Sequence, residues 1–141
     1  MQGWEGNVAV YLKESDPRWA EHSGEEGHYR DPEWGPEDVE RAAVFLIELA
    51  PQARELFAYL LRHPGREIHC TELADKALGG PTDADPARRV AGAVSGMSKA
   101  HSNSERRYPF YWWKAPEGSA GATYAVRPSV AAVFLAAQLG Q

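Results

Sequence analysis

The spacing of apolar positions changes along the chain, and each spacing predicts a different element. In residues 7–13, NVAVYLK, Val8, Val10 and Leu12 alternate with Ala9, Tyr11 and Lys13, the period of a short strand. The following segment to residue 35 carries Pro, Gly and acids with no apolar period, and reads as an arm that Trp19 and Trp34 could pin. From Pro36 the period is helical. Proline suits a first helical position, Glu37 and Asp38 complement the helix dipole, and the almost unbroken apolar run after Arg41 predicts burial on more than one side. Pro51 ends that helix and opens the next, where Ala53, Leu56, Phe57, Leu60 and Leu61 form one face before Pro64-Gly65 stops the run.

REIHC has room for a brief strand around Ile68. Thr71 is the expected N-cap of TELADKALGG, with Leu73, Ala74, Ala77 and Leu78 as its apolar stripe and Gly79-Gly80 as its exit. Asp85 caps and Pro86 opens a third helix, which the pattern carries over 86–103. An aromatic strand, a turn built from PEGSAG, a second strand ATYAV and a last helix SVAAVFLAAQ complete the order. With PEGSAG at the tip, Ala115 faces Ala122, which pairs Trp113 with Tyr124 and Tyr111 with Val126 on the core face. Phe110, Trp112 and Lys114 then share the other face with Thr123, Ala125 and Arg127. Phe110 is expected to be covered, and Trp112 to be open for stacking on a base or sugar. The fold class is mainly α with a β-hairpin (α+β), divided into an N-terminal strand and acidic arm, 1–35, and a helical domain with the hairpin, 36–141.

Charge sharpens this division. Residues 1–50 hold 12 acidic and 4 basic side chains, whereas residues 51–141 hold 8 and 11, so an acidic front joins a mildly basic back within a net charge of −5. The acidic segment Glu21 to Glu40 is read as a solvated tether, with docking over the basic surface or recruitment of a protein partner as its alternatives. Cys70 is the single cysteine and excludes an intramolecular disulfide. No apolar run approaches the ~18 residues of a membrane span, and the first residues have neither a basic nor an apolar leader region. A reducing, cytoplasmic location without membrane contact is the expectation.

The third helix carries the most suggestive chemistry. Ala87, Val90, Val94 and Met97 share one side; Arg88, Gly92, Ser95, Gly96, Lys99, Ser102 and Asn103 lie opposite, with Arg89 at the margin. Arginine and lysine can meet phosphates or guanine edges, serine and asparagine can bond base edges, and two mid-helix glycines call for a close approach that offsets their cost. Arg106, Arg107, Lys114 and Arg127 flank the aromatic hairpin and could follow a phosphate backbone. The histidines His22, His28, His63 and His69 and Cys70 lack close paired-ligand spacing, so no metal or cofactor is expected. There is no nucleophile elbow or phosphate loop either, and no enzyme is expected.

The order helix, short strand, helix, turn, helix, hairpin, helix over about residues 36–141 resembles a winged helix-turn-helix domain. HPGR leading into ELA, a helix with RRVAG and an aromatic YPF strand are similar to a group of small, uncharacterised bacterial winged-helix proteins. That resemblance implies binding of double-stranded DNA, often as a dimer and in transcription regulation, with 86–103 as recognition helix and 106–127 as wing. The alternative is a winged helix that docks a protein through the aromatic hairpin or the terminal helix. A homodimer is expected through that last helix. Val130, Val133, Phe134 and Ala137 form one apolar stripe, but Ala131, Leu135 and Ala136 leave its other side apolar too.

Overall fold

The structure, a computed structural model, describes residues 10–21, 31–80 and 84–139. Its main elements are β1 (Val10–Tyr11), α1 (Val39–Ile47), α2 (Pro51–Leu61), β2 (Arg66–His69), α3 (Cys70–Glu72, continued by a wider helical turn over Leu73–Ala77), α4 (Pro86–Ser95), α5 (Ser98–Ser104), β3 (Tyr111–Lys114), β4 (Ala122–Ala125) and α6 (Pro128–Leu139), with short helical turns at Pro17–Ala20 and Pro36–Asp38. The strands form one antiparallel sheet in the order β1-β2-β4-β3. The fold is thus mixed α and β. No helix among the described residues is long and apolar enough to cross a membrane.

The main core lies between the helices and one face of the sheet. Trp34, Phe45, Phe57 and Phe134 meet there edge-on or tilted, with centroids 4.8–6.0 Å apart. Such pairs add to what area burial alone contributes. The α2 face read from the sequence is buried throughout. For α1 burial is one-sided: Ala42, Phe45 and Leu49 are buried and Val39, Ala43 and Leu46 pack beside them, but Val44 and Ile47 are 55% and 67% exposed on the remaining side.

Asp38 anchors the start of α1. It accepts from the Gly35 N–H at 2.8 Å and from Arg106 at 2.9 and 3.0 Å, in a site that leaves Asp38 almost no solvent contact. Burial alone would raise its pKa, but those hydrogen bonds and the Arg106 and Arg41 charges prevail and hold it below the ordinary carboxylate value.

The third helix is two helices. After Ser95 the chain tightens, with Gly96 and Met97 donating to Ala93 and Val94 three residues back, and α5 starts at Ser98. Gly96 sits against the start of α2, where a Cβ would come within 3.1 Å of Ala50 and 3.2 Å of Ala53. The close approach expected of a glycine therefore exists here, inside the protein. A further correction concerns Thr71, since the residue that caps α3 is His69, whose Nδ1 accepts from the Thr71 N–H at 3.0 Å.

The hairpin register also differs from the expectation. Ala115 pairs with Gly121, and Tyr111, Trp112, Trp113 and Lys114 face Ala125, Tyr124, Thr123 and Ala122. Gly121 takes a φ of +88°, and a Cβ there would stand 2.5 Å from Cys70 Sγ, so glycine lets the chain turn into β4 one residue before Ala122. Tyr124 consequently joins Trp112 over the main core, while Tyr111 and Trp113 lie on the opposite face. That face is covered as well. Leu12 and Trp19 from the arm close over Tyr111, Trp113 and Ala125, with Trp19 5.2 and 5.7 Å from the two rings. Trp113 Nε1 donates to Arg18 O, and Glu67 ties the layer together by accepting from Arg18 and from Thr123 Oγ. The described parts of the arm are therefore built into the molecule; His22, His28, Glu25 and Glu26 lie outside the described residues.

Candidate nucleic-acid interface

α4 starts where the Asp85 carboxylate accepts from the Ala87 N–H, and its inner side is fixed by Val90 and Ala93. Arg88, Ala91, Gly92 and Ser95 are exposed on its outer side, at the i, i+3, i+4, i+7 spacing of one helical face. A Cβ at Gly92 would meet nothing within 4 Å. The face is therefore shallow as well as open, and a large partner could reach the helix backbone. Ser95 Oγ donates to Gly92 O at 2.7 Å, which leaves its lone pairs for an incoming donor.

The break after Ser95 removes Lys99, Ser102 and Asn103 from this face. All three are exposed on α5, but Asn103 donates to Glu48 at 2.9 Å. It lines a cleft of about 450 Å³ between α1 and α5, where Glu37, Asp38, Glu40 and Glu48 outnumber the single cation Arg41. That surrounding repels a phosphate rather than drawing one in.

Four of the candidate arginines bond to the protein itself. Arg89 turns under α4 and donates to Gly80 O at 2.6 Å and also to Leu78 O, taking carbonyls that the end of the preceding helix leaves without intrahelical partners. Arg106 forms its two-pronged pair with Asp38. Arg107 donates to Asp31 O at 2.8 Å. Arg127 pairs with Glu14 at 2.7 Å and Glu33 at 3.1 Å. Burial pushes the Glu33 carboxyl above its ordinary value, with Arg127 and Arg107 opposing that rise. Arg88, Lys99 and Lys114 are exposed and form no ion pair among the described residues.

Trp112 is not the open ring that the expected register required. It is half-buried against the main core, 5.7 Å from Phe110 and 5.9 Å from Tyr108, while Phe110 is fully buried as expected. At the hairpin tip lies a contact that the sequence did not suggest: Ser119 Oγ stands 2.8 Å from His69 Nε2. Its geometry resembles a nucleophile and base, but the opposite ring nitrogen accepts from the Thr71 N–H, which puts the proton on Nε2. His69 thus donates to Ser119 and clamps the hairpin onto the start of α3; it is in the wrong tautomer to activate the hydroxyl. His63 and His69 lie on different elements, and among the described residues no three His, Cys, Asp or Glu side chains gather around a common point.

No match was found among curated proteins or solved structures. Residues 39–141, which hold α1 to α6, the sheet's last three strands and the exposed face of α4, match the model of DUF6416, a family of unknown function, and the chain belongs to that family.

Proposed function

We propose that this chain is a DNA-binding protein of winged-helix type, in which the outer face of α4 enters the major groove and the β3–β4 hairpin is the wing. The carrying observation is the juxtaposition of an unobstructed α4 face with the strand order β2-β4-β3, the arrangement in which a winged helix supports its helix pair and wing. In this reading α3 and the turn after it hold α4 from behind through Arg89. Arg88 meets a phosphate or the acceptor edge of a guanine, Gly92 lets the helix backbone approach, Ser95 offers an acceptor, and Lys114 reaches a phosphate from the wing. Arg106, Arg107 and Arg127 support the scaffold, and Trp112 holds the hairpin to the core.

Magnitudes restrict the reading. With log affinity falling by about 0.9 per neutralised phosphate, Arg88 and Lys114 supply a slope of roughly −2 against log salt, so one protomer binds weakly and in low salt. Fluorescence anisotropy of a labelled duplex across a salt series tests this. The double variant Arg88→Ala, Lys114→Ala should flatten the slope by about two units while keeping its fold. A wild-type slope near zero would sink the proposal. It would favour instead a protein-docking winged helix, a reading supported by the exposed Ile47 and Leu139 on a molecule of charge −5.

A further inference from the structure

The cleft between α1 and α5 lies apart from the α4 face. Phe45 and Ala100, both almost wholly buried, line it beside Val44, which is 55% exposed. Glu40, Val44 and Glu48 stand at i, i+4 and i+8, so this exposed valine has a carboxylate one turn before it and another one turn after it. Glu37 adds a carboxylate to the lining. Asp38 is engaged by Arg106 and Arg41, and Arg41 also donates to Ser104 O. Glu37, Glu40 and Glu48 form no ion pair among the described residues.

Folding of the chain does not account for this arrangement. Like charges gathered on one helix face repel one another. Glu48 is moreover the C-cap of α1, where the helix dipole favours a cation over a carboxylate. Its carboxylate is nonetheless held in place: Asn103 of α5 donates to Oε2 at 2.9 Å, which leaves Oε1 for an incoming donor.

We infer that this cleft docks a basic segment of another protein, with an aliphatic side chain over Val44 and Phe45 and arginine or lysine on Glu40 and Glu48. Charge complementarity selects the occupant. The carboxylates attract a polycation and repel nucleic acid, while an exposed valine beside a buried ring suits an apolar group placed between the charges. A metal ion is poorly served, because among the described residues these carboxylates do not converge on one point. A second copy is disfavoured, since two chains of −5 repel one another. Size agrees with a peptide: about 450 Å³ falls within the roughly 300–1,000 Å³ of ligand pockets and holds a few side chains. None of Arg88, Gly92, Ser95 and Lys114 lines the cleft, so DNA binding and peptide docking can each be present without the other.

Fluorescence anisotropy of a labelled peptide, Lys-Arg-Leu-Leu-Lys-Arg, titrated with the full chain in low salt tests this. The wild type should bind it. The double variant Glu40→Gln, Glu48→Gln should bind about five- to tenfold more weakly, with a thermal midpoint no lower than the wild type's, because like-charge repulsion is relieved. Val44→Ser should weaken binding as well, and so should serine in place of the peptide's leucines. Glu55→Gln, at an exposed position of α2 outside the cleft, should change nothing. A wild type that takes up no peptide at about 1 mM overturns the inference. So does a double variant that binds like the wild type, since the site then lies elsewhere. An equal loss in Glu55→Gln reduces the effect to net charge, and equal binding of the serine peptide leaves Val44 without a role; either result overturns it. Self-association of the wild type that the double variant abolishes gives the cleft to a second copy and overturns it too.

Discussion

Replacing Asp38 or Arg106 separates a structural arginine from a DNA contact. Asp38 is 3% exposed, and its carboxylate accepts both prongs of Arg106 and the Gly35 N–H, with Arg41 at 3.5 Å. Asp38→Ala leaves the Arg106 guanidinium without its counter-charge and the Gly35 N–H without its acceptor. Breaking a buried pair by removing one member costs about 3–5 kcal/mol, and the residual solvent access of Arg106 places this case near 3. Arg106→Ala strands the carboxylate instead, with Arg41 as partial compensation, and should cost slightly less. The double variant should lose clearly less than the sum, because neither charge is then left alone. Urea denaturation followed by circular dichroism measures all three, and a domain of ordinary stability survives each loss well enough to be measured. Duplex binding by the folded Arg106→Ala protein should match the wild type. If that variant kept the wild-type denaturation midpoint yet lost DNA affinity, the pairing argument would be refuted and Arg106 would belong to the interface.

Three other expectations follow from the same geometry. Trp113→Ala should cost ~3 kcal/mol or more and open the arm, seen as new protease cleavage between Leu12 and Trp19; an unchanged cleavage pattern would deny that Trp113 pins it. Gly121→Ala should destabilise the hairpin through its positive φ and its approach to Cys70 and Ala87, and adding Cys70→Ala should restore part of the loss; no recovery would mean that backbone strain and the Ala87 contact are responsible. Glu67, like Asp38, is held below the ordinary carboxylate value: burial opposes this, but the hydrogen bonds from Arg18 and Thr123 and the Arg18 charge outweigh it. Stability from both carboxylates should be complete above about pH 4 and fall away as pH drops through their folded values. Burial lowers the pKa of His101, stacked 3.9 Å from Tyr108, so its contribution should start to fall below about pH 6.5, in a step that His101→Gln removes from the pH dependence of the denaturation midpoint.

The helices were legible because a periodic apolar stripe and a cap are local signals. The α2 stripe, the Asp85-Pro86 start of α4 and the glycines after Leu78 all stand where the pattern puts them. Pairings across long separations were not. A helical wheel places Arg89 at a margin, but it cannot show that the carbonyls of Leu78 and Gly80 lie within reach. Nor does the sequence around Arg106 or Arg127 disclose carboxylates 68 and 113 residues away. Hairpin register fails for a related reason. Side chains alternate with a period of two in either alignment, so the pattern suits both, and only the contact between Gly121 and Cys70 distinguishes them.

That contact also bears on why the aromatic segment invites a binding interpretation. Five rings within residues 108–113 resemble an exposed stacking surface if the hairpin has one wet face, since such strands alternate apolar with polar. This hairpin has no wet face of that kind. Trp112 and Tyr124 lie toward the helices, Tyr111 and Trp113 lie under the arm, and a strand covered on both sides has no place for alternation. The aromatic density is therefore explained by a sheet that separates two cores. Once the rings are spoken for, the exposed cationic chemistry that remains is the α4 face with Arg88 and the hairpin's Lys114.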